Sequence, residues 1–492
     1  MWIAAVGLAL TNFLVILDTT ITNVSVPHIA GGLAISPAQG TWTITSYAVA
    51  EAITVPLSGW LAGRFGTLRT AIGALLGFGL FSVLCGMART IEVLVLMRVL
   101  QGLCGGPLMP MTQTMLLRVF PREKMGIANA LWAATAVSAP IFGPLAGGLI
   151  ADNLNWSWIF YINLPMVGLT YLIITSTMRA FETPTRYERI DLIGMALLIA
   201  FAGSLQLVLD LGREHDWFAS GMIVSFAAVA VIGFLAFVVW ELTDGHPAVD
   251  LTVLRHRSLA VAMPVMAVSY SALFGMLVLV PLWLQSVQGY TAEAAGQVMA
   301  MQGFLGVLFA PIAAAMIQRI DIRFVITLGM LIAILSTLMR AGWTTDAGFW
   351  SFAASQLVQG ASIPLIFIGV MTIAMIDVPP DEVANAAGLL SFVRTVSGAA
   401  GAAVATSAWE SSTRVSRSEL VGTLHDVGQA GAQVPLPGDA RLGLIEGLVD
   451  SQAATLASAA VYGWMILAMA VGIGLVWLMP RAIGTAGPAP AH

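Results

Sequence analysis

Hydrophobic residues follow one another in long blocks, and short clusters of glycine, proline and charged residues separate these blocks. Most blocks are close to the ~20 residues that an α-helix needs to cross a bilayer. They are continuous and do not alternate with polar residues, which favours helices over the strands of a membrane barrel. The pattern predicts fourteen transmembrane helices, near residues 3–26, 41–62, 70–88, 92–114, 127–150, 157–178, 191–209, 221–241, 259–284, 295–318, 324–343, 350–376, 384–408 and 458–479.

Polar residues recur at helical spacing inside three of these spans. They lie on one face of span 1 (Thr11, Asp18, Thr22, Ser25), span 2 (Tyr47, Glu51, Thr54, Ser58) and span 4 (Arg98, Gln101, Gly105, Met109, Thr112). Hydrogen bonds between helices, worth about 0.6 kcal/mol each, account for the hydroxyl groups. They do not account for Asp18, Glu51 and Arg98, because a charge at mid-membrane costs about 2.5–3.5 kcal/mol. These three residues are predicted to face an interior or a wet cavity.

The basic residues predict the orientation of the chain. Most of them lie in short predicted loops on the side of the N-terminus, as in 63–69, 118–124 and 319–323. Arg340 is assigned to the other side, together with three arginines of one long loop that weighs little in the positive-inside rule. We therefore expect a multi-pass protein of the inner (cytoplasmic) membrane with both termini in the cytoplasm.

An internal repeat is visible at an offset of about 256 residues. Three pairs of segments align in the same order: Pro56–Arg64 with Pro311–Arg319, Leu100–Gly102 with Val358–Gly360, and Ala128–Ala130 with Ala384–Ala386. The repeat predicts two pseudo-symmetric six-helix bundles, at 1–180 and 258–480, around a midplane site. Two inserted helices occupy 181–257, a long outer loop 409–457 and a cytoplasmic tail 481–492. The predicted class is an all-α polytopic membrane protein with a fourteen-helix (6+2+6) major facilitator fold.

Composition excludes several other classes. Hydrophobic residues make up 58% of the chain and charged residues only 10%, against ~25% charged in soluble domains. The net charge of −5 comes without a basic block, which excludes a nucleic-acid partner. Lys124 is the only lysine and follows Glu123, so a phosphate-binding Gly-Lys motif is impossible. Cys85 and Cys104 lie alone in apolar runs, and we predict no metal, no cofactor and no enzymatic activity.

Five segments resemble the signatures of one transporter family. They are LDTTITNVSVP (17–27) in span 1, GWLAGRFG (59–66) after span 2, RVLQG (98–102) in span 4, GPLAGG (143–148) in span 5 and WSWIFYINLP (156–165) entering span 6. Together they resemble the fourteen-spanner drug:proton antiporters of the major facilitator superfamily, the EmrB/QacA type, with the EmrB branch most similar. The likeness extends from span 1 to span 14.

The resemblance assigns gating roles to two of these segments. The residues concerned are Gly59, Arg64 and Gly66 in the first, and Gly143, Pro144, Gly147 and Gly148 in the second. The alternatives are a plain topogenic loop and a seam of small residues that lets helices touch. The first segment carries Gly63 where the family usually has the aspartate that latches the two bundles. In the repeat, Gln356 stands opposite Arg98, so that arginine has no counterpart.

Further polar and apolar side chains are candidates for binding substrate. They are Thr22, Tyr47, Gln101, Met109, Gln356, Gln359 and Arg394. Phe274, Trp283, Phe304 and Phe392, with Met109, are interpreted as apolar walls, because methionine and aromatic rings adapt to varied shapes. For each residue taken singly, ordinary helix packing is the competing interpretation.

The resemblance implies a proton-coupled multidrug efflux transporter that exports amphipathic toxic compounds by alternating access. In the EmrB branch such a pump works with a periplasmic membrane-fusion adaptor and an outer-membrane channel, and the loop 409–457 is the predicted docking site. The alternative is a proton-coupled or facilitative carrier of a specific metabolite; a channel or receptor is a third reading. The inserted helices are predicted to pack beside the pore without contacting substrate.

The predicted mechanism places the proton on Asp18 and Glu51, with Arg98 adjusting them. Burial favours the protonated form of a carboxyl group, whereas a nearby arginine favours the charged form. Movement of the bundles that changes the distance to Arg98 would load and release the proton. The competing interpretation is a static Asp18–Arg98 ion pair that only holds spans 1 and 4 together.

Overall fold

The computed structural model describes residues 2–35, 37–120, 154–185, 191–213, 215–245, 247–379, 382–427 and 438–482, with scattered positions between 131 and 150. The first part of the chain forms α1 (Trp2–Leu33), α2 (Pro37–Gly40), α3 (Trp42–Thr54), α4 (Ser58–Phe65), α5 (Thr67–Gly86), α6 (Ile91–Gly105), α7 (Leu108–Val119), α8 (Trp158–Tyr161) and α9 (Asn163–Thr177). We call this part the first half.

The remaining helices form an inserted segment and a second half. The inserted segment contains α10 (Leu192–Leu198), a π-helical turn (Ile199–Gly203), α11 (Ser204–Leu211) and α12 (Gly221–Thr243). The second half contains α13 (Arg257–Ser286), α14 (Ala292–Ile317), α15 (Ile322–Ala341), α16 (Phe349–Ala374), α17 (Val383–Val427) and α18 (Gly438–Val476).

Twelve helices in the described part of the chain are long and apolar enough to cross a membrane. Two predicted spans fall outside that count for different reasons. Span 41–62 is divided into α3 and α4 at Pro56, and most of span 127–150 lies outside the described residues. With these two added, the helices agree with the predicted all-α, fourteen-helix membrane fold. The domain boundaries at 180 and 257 stay a prediction.

Each half is held together by helices that are distant in sequence. In the first half, α6 packs against α3 and α5, and α1 packs against α7 and α9. In the second half, α16 packs against α14 and α15, and α13 packs against α17. α18 closes the second half by packing against α15 and α17. These pairings bring the polar faces of α1, α3 and α6 toward one another.

The two halves meet on one side of the membrane. We call the face at which α1 begins the N-terminal face and the other the opposite face. The principal contacts between the described helices of the two halves join α17 to α4 and α7, which both end at the N-terminal face. Near that face a Cβ on Gly59 would overlap Asn385 and lie 2.9 Å from its Cα. The space between the halves is therefore closed on the N-terminal face.

The inserted segment lies beside the seam between the halves, as predicted for it. α11 and the π-helical turn contact both α3 and α17. The ring of Phe201 lies 5.9 Å from that of Phe392 on α17. At the opposite face Arg213 forms an ion pair with Glu410, and Trp217 Nε1 donates to Ser407 Oγ at 3.0 Å. The inserted segment therefore contacts α17 at two places, at Phe392 inside the fold and at Ser407 and Glu410 near the opposite face.

The predicted outer loop 409–457 is largely helical. α17 has 45 residues and α18 has 39, so α17 is about 68 Å long against a hydrocarbon core of ~30 Å. The two helices project from the opposite face as a pair, which we call the hairpin (residues 409–427 and 438–457). Arg417 Nε donates to Asp450 Oδ1 at 2.5 Å across it. Helix continues to Val427 in α17 and resumes at Gly438 in α18, and residues 428–437 lie outside the described part of the chain.

Candidate proton and substrate site

A buried ion pair connects the middle of α1 to α6. Arg98 Nη1 donates to Asp18 Oδ2 at 2.6 Å, and both side chains are 1% exposed. The sequence predicted that both residues lie on interior faces of their helices, and the structure confirms it. Two charges removed from water require good geometry and further hydrogen bonds to remain paired.

Neighbouring side chains supply those hydrogen bonds. Gln101 Nε2 and Asn163 Nδ2 donate to Asp18 Oδ1 at 3.2 and 2.6 Å. Arg98 donates through Nε to the Thr43 carbonyl at 3.0 Å and through Nη1 to Gln101 Oε1 at 2.8 Å. Four helices, α1, α3, α6 and α9, therefore meet at one ion pair. We call these five residues the Asp18 network.

Tyr47 and Glu51 lie one turn apart on α3, next to this network. The Arg98 guanidinium carbon is 4.3 Å from the centroid of the Tyr47 ring. Glu51 is 8% exposed, and within the described residues its carboxylate takes part in no hydrogen bond or ion pair. Arg394 and Arg98 both attract it electrostatically. The two predicted proton carriers thus differ: Asp18 is fully paired and Glu51 is not.

Arg394 extends from α17 to the first half at the same depth. Its Nη2 donates to the Met109 sulfur at 2.5 Å, and its guanidinium carbon is 4.9 Å from the Trp132 ring centroid. Tyr270 lies 5.7 Å away on the other side. Nη1 has no hydrogen-bond partner in the described structure, although Arg394 is only 3% exposed. A cation surrounded by aromatic rings and a thioether therefore lies between the halves, beside Glu51.

Gln356 and Gln359 do not join this site. Both lie on α16 inside the second half, where their side-chain oxygens accept hydrogen bonds from Arg340 at 3.0 and 3.2 Å. The sequence placed Arg340 near the end of span 324–343, and in the structure it lies in the last turn of α15. The sequence did not predict that Arg340 is buried there, 1% exposed, among neutral partners.

Thr22 contributes less to the site than predicted. It is 1% exposed, and its hydroxyl donates to the backbone carbonyl of Asp18 on its own helix at 2.7 Å. Phe304 is 67% exposed on α14, so no neighbouring helix in the described part of the chain covers it, and its assignment to an apolar wall stays a prediction. Phe274 stacks on Tyr270 with ring centroids 4.8 Å apart, which places it beside Arg394.

The segments with predicted gating roles lie at helix contacts. Gly66 has φ +90°, and Glu182 accepts hydrogen bonds from the backbone of Leu68 and Arg69 just after it, at 3.0 and 3.2 Å. Arg64 lies 5.9 Å from the ring centroid of Trp60. The loop is thus built for a tight turn that begins α5.

The glycines of span 5 contact α1. A Cβ on Gly143 would overlap Thr20 Oγ1, and one on Gly147 would lie 3.2 Å from the carbonyl oxygen of Ile21. These contacts agree with the predicted seam of small residues. Pro144 and Gly148 lie outside the described residues.

Sequence reasoning missed two residues that the structure places in important contacts. Asn163 donates to Asp18, yet it was treated only as part of a family signature, although it is an isolated amide in an apolar segment. Asn385 contacts Gly59, and the repeat at 128–130 and 384–386 already singled it out. To assign either contact from the sequence, one would have to know which helices are neighbours.

Comparison with known proteins identifies the family of the chain. Residues 8–402 match the family profile of the Major Facilitator Superfamily. The chain is 39% identical over 425 residues to the multidrug export protein EmrB of Escherichia coli (strain K12), covering 86% of this chain and 83% of that protein. It is 34% identical over 484 residues to the fatty acid resistance protein FarB of Neisseria gonorrhoeae, covering 97% and 95%.

The fold is also found in a solved structure. The crystal structure of the human organic anion transporter MFSD10 (TETRAN) superimposes with a TM-score of 0.59 at 12% identity, covering 95% of this chain and 99% of that one. At this identity the likeness concerns the fold alone. The profile match and the identity to EmrB show that the chain belongs to the major facilitator superfamily and, within it, to the EmrB-type multidrug export proteins.

Proposed function

We propose that this protein is a proton-coupled multidrug exporter that works by alternating access. The observation that carries the proposal is the Asp18 network: a membrane-buried carboxylate with its arginine, at the junction of four helices. The EmrB-type relatives are named as multidrug export proteins, which supports export of several compounds. A carrier for a single metabolite is the alternative that the experiment below distinguishes.

Asp18 and Glu51 carry the proton in this proposal, and Arg98 controls Asp18. A buried carboxylate loses its desolvation cost either by pairing with a cation or by taking up a proton. Asp18 is paired in the conformation described, so it exchanges a proton only when Arg98 moves away. Glu51 forms no ion pair within the described part of the chain, so its proton exchange does not require an arginine to move away. Arg98 is held by Thr43 and Gln101, so a shift of α3 or α6 would displace it.

The energy available is sufficient for export. One proton that descends ~100 mV supplies about 2.3 kcal/mol, and a difference of one pH unit adds about 1.4 kcal/mol. The sum corresponds to a concentration gradient of several hundred-fold for a neutral compound. A pump of this kind needs no ATP site.

The substrate binds between the halves in this proposal. Arg394 and Tyr270 line that region from the second half, and Met109, Tyr47 and Glu51 line it from the first half. Methionine and aromatic surfaces accept many shapes. Glu51 and Arg394 supply one charge of each sign, which suits amphipathic compounds of either charge. Gln101 acts through Asp18 and is a positioning residue here.

The protein spans the inner membrane with both termini in the cytoplasm in this proposal. The basic loops at the N-terminal face support this orientation. The contact of Gly59 with Asn385 then closes the cytoplasmic face, and the conformation described is the one that releases substrate outward. On the same orientation the hairpin projects into the periplasm.

The hairpin is the proposed docking site for a membrane-fusion adaptor, which would lead to an outer-membrane channel. Leu444 and Leu448 on α18 are 50% and 56% exposed, and Val421 on α17 is 50% exposed, beyond the membrane. Changing Leu444 and Leu448 to Asp should abolish capture of the adaptor. Ser418→Asp is the control, because it adds charge to the hairpin without removing an apolar side chain, and it should leave capture unchanged. Equal capture by both variants would place docking elsewhere.

A reconstituted system tests the proposed function directly. Purified protein in vesicles is loaded with ethidium, and export is followed by fluorescence with and without an imposed pH gradient. We expect export that depends on the gradient, and competition by chemically unrelated amphipathic compounds. Movement of a single polar metabolite with no response to such compounds would favour the alternative carrier.

A further inference from the structure

Arg340 lies inside the second half without a negatively charged partner. It is 1% exposed. Its Nη1 donates to the Met276 sulfur at 2.9 Å and to Gln359 Oε1 at 3.2 Å, and its Nη2 donates to Gln356 Oε1 at 3.0 Å. All of these acceptors are neutral. Among the described residues no Asp or Glu forms an ion pair with it.

In the first half, the buried arginine has a negatively charged partner. Arg98 is neutralised by Asp18 at 2.6 Å, and Gln101 bridges the two. Around Arg340, the glutamine is present as Gln359, but Met276 occupies the place of the carboxylate. A buried charge without a counter-charge costs several kcal/mol. The end of α15 offsets only part of that cost, because a helix C-terminus carries about half a negative charge.

Unpaired hydrogen-bond donors surround the same arginine. Arg340 Nε, Trp283 Nε1, Trp343 Nε1 and Tyr462 Oη are buried and have no hydrogen-bond partner in the described structure. The Trp343 ring lies 5.3 Å from that of Trp283 and 6.4 Å from that of Tyr462. Tyr462 interacts electrostatically with Arg340. Four donors therefore belong to one packed cluster, which we call the Arg340 cluster.

The chemistry of these free groups selects the ligand. Indole and guanidinium N–H groups only donate hydrogen bonds, and a tyrosine hydroxyl can also donate. The glutamine oxygens that could hold a cation already accept from Arg340. Each unmade bond of a buried donor costs about 1–3 kcal/mol. A ligand that carries one negative charge would neutralise Arg340 and offer acceptors to these donors.

We propose that the Arg340 cluster binds a small singly charged anion, a halide or a carboxylate, between α13, α15 and α18. Arg340 supplies the counter-charge, and Trp283, Trp343 and Tyr462 supply hydrogen bonds. Arg340 is in the last turn of α15, so the anion enters from the opposite face of the membrane. The same chemistry fits a free salt anion and the acid group of an amphipath. This site is separate from the proposed proton site and does not depend on transport.

Halide quenching of tryptophan fluorescence tests the proposal, because two of the ligands are tryptophans. Purified full-length protein in sodium sulfate, whose doubly charged anion differs from the proposed ligand, is titrated with sodium bromide at constant ionic strength. We expect a saturable quenching component that Arg340→Gln abolishes and Tyr462→Phe weakens at least five-fold. Arg323→Gln, which alters an arginine outside the cluster, should leave the component unchanged. Displacement of bromide by octanoate but not by acetate assigns the site to the acid group of an amphipath, and displacement by chloride alone assigns it to a free anion.

A second measurement covers the case in which Arg340→Gln does not fold. Tyr462→Phe and Trp343→Phe keep the guanidinium, and each removes one donor. A crystal grown with bromide should show anomalous scattering at the Arg340 cluster in the native protein and weaker scattering in these variants. Linear quenching that is equal in the native protein and all variants, or the absence of a bromide peak beside Arg340, would show that water alone fills the cluster and overturn the proposal.

Discussion

At the scale of single residues, what a buried charge costs was easier to predict than where its partners lie. The helical spacing of polar residues and the free-energy cost of a charge in the membrane correctly placed Asp18, Glu51 and Arg98 on interior faces. The same reasoning did not predict that Arg340 is buried, and it treated Gln356 as a candidate for binding substrate, whereas Gln356 accepts a hydrogen bond from Arg340 inside the second half. Partners on other helices decide such cases, and one sequence does not reveal which helices are neighbours.

Asn163 offers a residue-scale prediction about the Asp18 network. Its Nδ2 donates to Asp18 Oδ1 at 2.6 Å, and a hydrogen bond to a charged group contributes about 1.5–3 kcal/mol. Asn163→Ala should therefore lower the thermal unfolding midpoint by several degrees and shift the pH dependence of export. The control is Asn155→Ala, a change of the same type at an exposed position on the adjoining turn. Equal melting temperatures and pH profiles in the two variants would mean that Asn163 does not hold the carboxylate.

At the scale of secondary-structure elements, hydrophobic blocks predicted the existence of helices better than their ends. The loop 409–457 shows why: α17 continues to Val427 in a polar sequence, and α18 begins at Gly438. Ion pairs and hydrogen bonds across the hairpin, such as Arg417 with Asp450 and Trp409 with the Ala454 carbonyl, stabilise helix outside the membrane. Hydropathy is insensitive to such contacts, because it registers only apolar length.

The contact of α4 with α17 gives a prediction about closure of the N-terminal face. A Cβ at Gly59 would overlap the Asn385 side chain and approach its Cα to 2.9 Å. Gly59→Ala should force the helices apart, raise the reactivity of a cysteine placed at Ala386, and slow export about ten-fold. Gly73→Ala is the matched control, since nothing lies within 4 Å of a Cβ there.

Asn385→Ala in the Gly59→Ala background should restore part of the export, because it removes the overlapping side chain and leaves only the backbone contact. If Gly59→Ala behaved like Gly73→Ala, the close approach of α4 and α17 would not matter for closure.

The inserted segment gives a second prediction at this scale. It covers the seam of α3 and α17 from outside, with Phe201 on Phe392 and Arg213 paired with Glu410. A photoreactive ethidium analogue should label α3 and α17, and labelling within 191–243 should stay below a tenth of the total. Saturable labelling of α11 or α12 that unmodified ethidium prevents would place these helices in the substrate site.

At the scale of the whole molecule, the two halves share a fold but differ in charge. The repeat in the sequence predicted the shared fold, because aligned prolines and small residues mark equivalent helices. It did not predict that the first half neutralises its buried arginine with Asp18 while the second half surrounds Arg340 with neutral groups. Among the described residues, the ion pair whose two side chains are both fully buried, Arg98 with Asp18, lies in the first half, which agrees with a proton site in that half.

Asp18 and Glu51 are proposed to couple proton movement to export. The most direct measurement is substrate-induced proton release from purified protein, followed with a pH dye, alongside export driven by a pH gradient in vesicles. Asp18→Asn and Glu51→Gln should each reduce proton release at least ten-fold and uncouple export from the gradient. Asp346→Asn, which changes an exposed carboxylate in a loop, should change neither. Unchanged proton release from both variants, with export still driven by the gradient, would contradict the account and leave the Asp18–Arg98 pair as a structural contact.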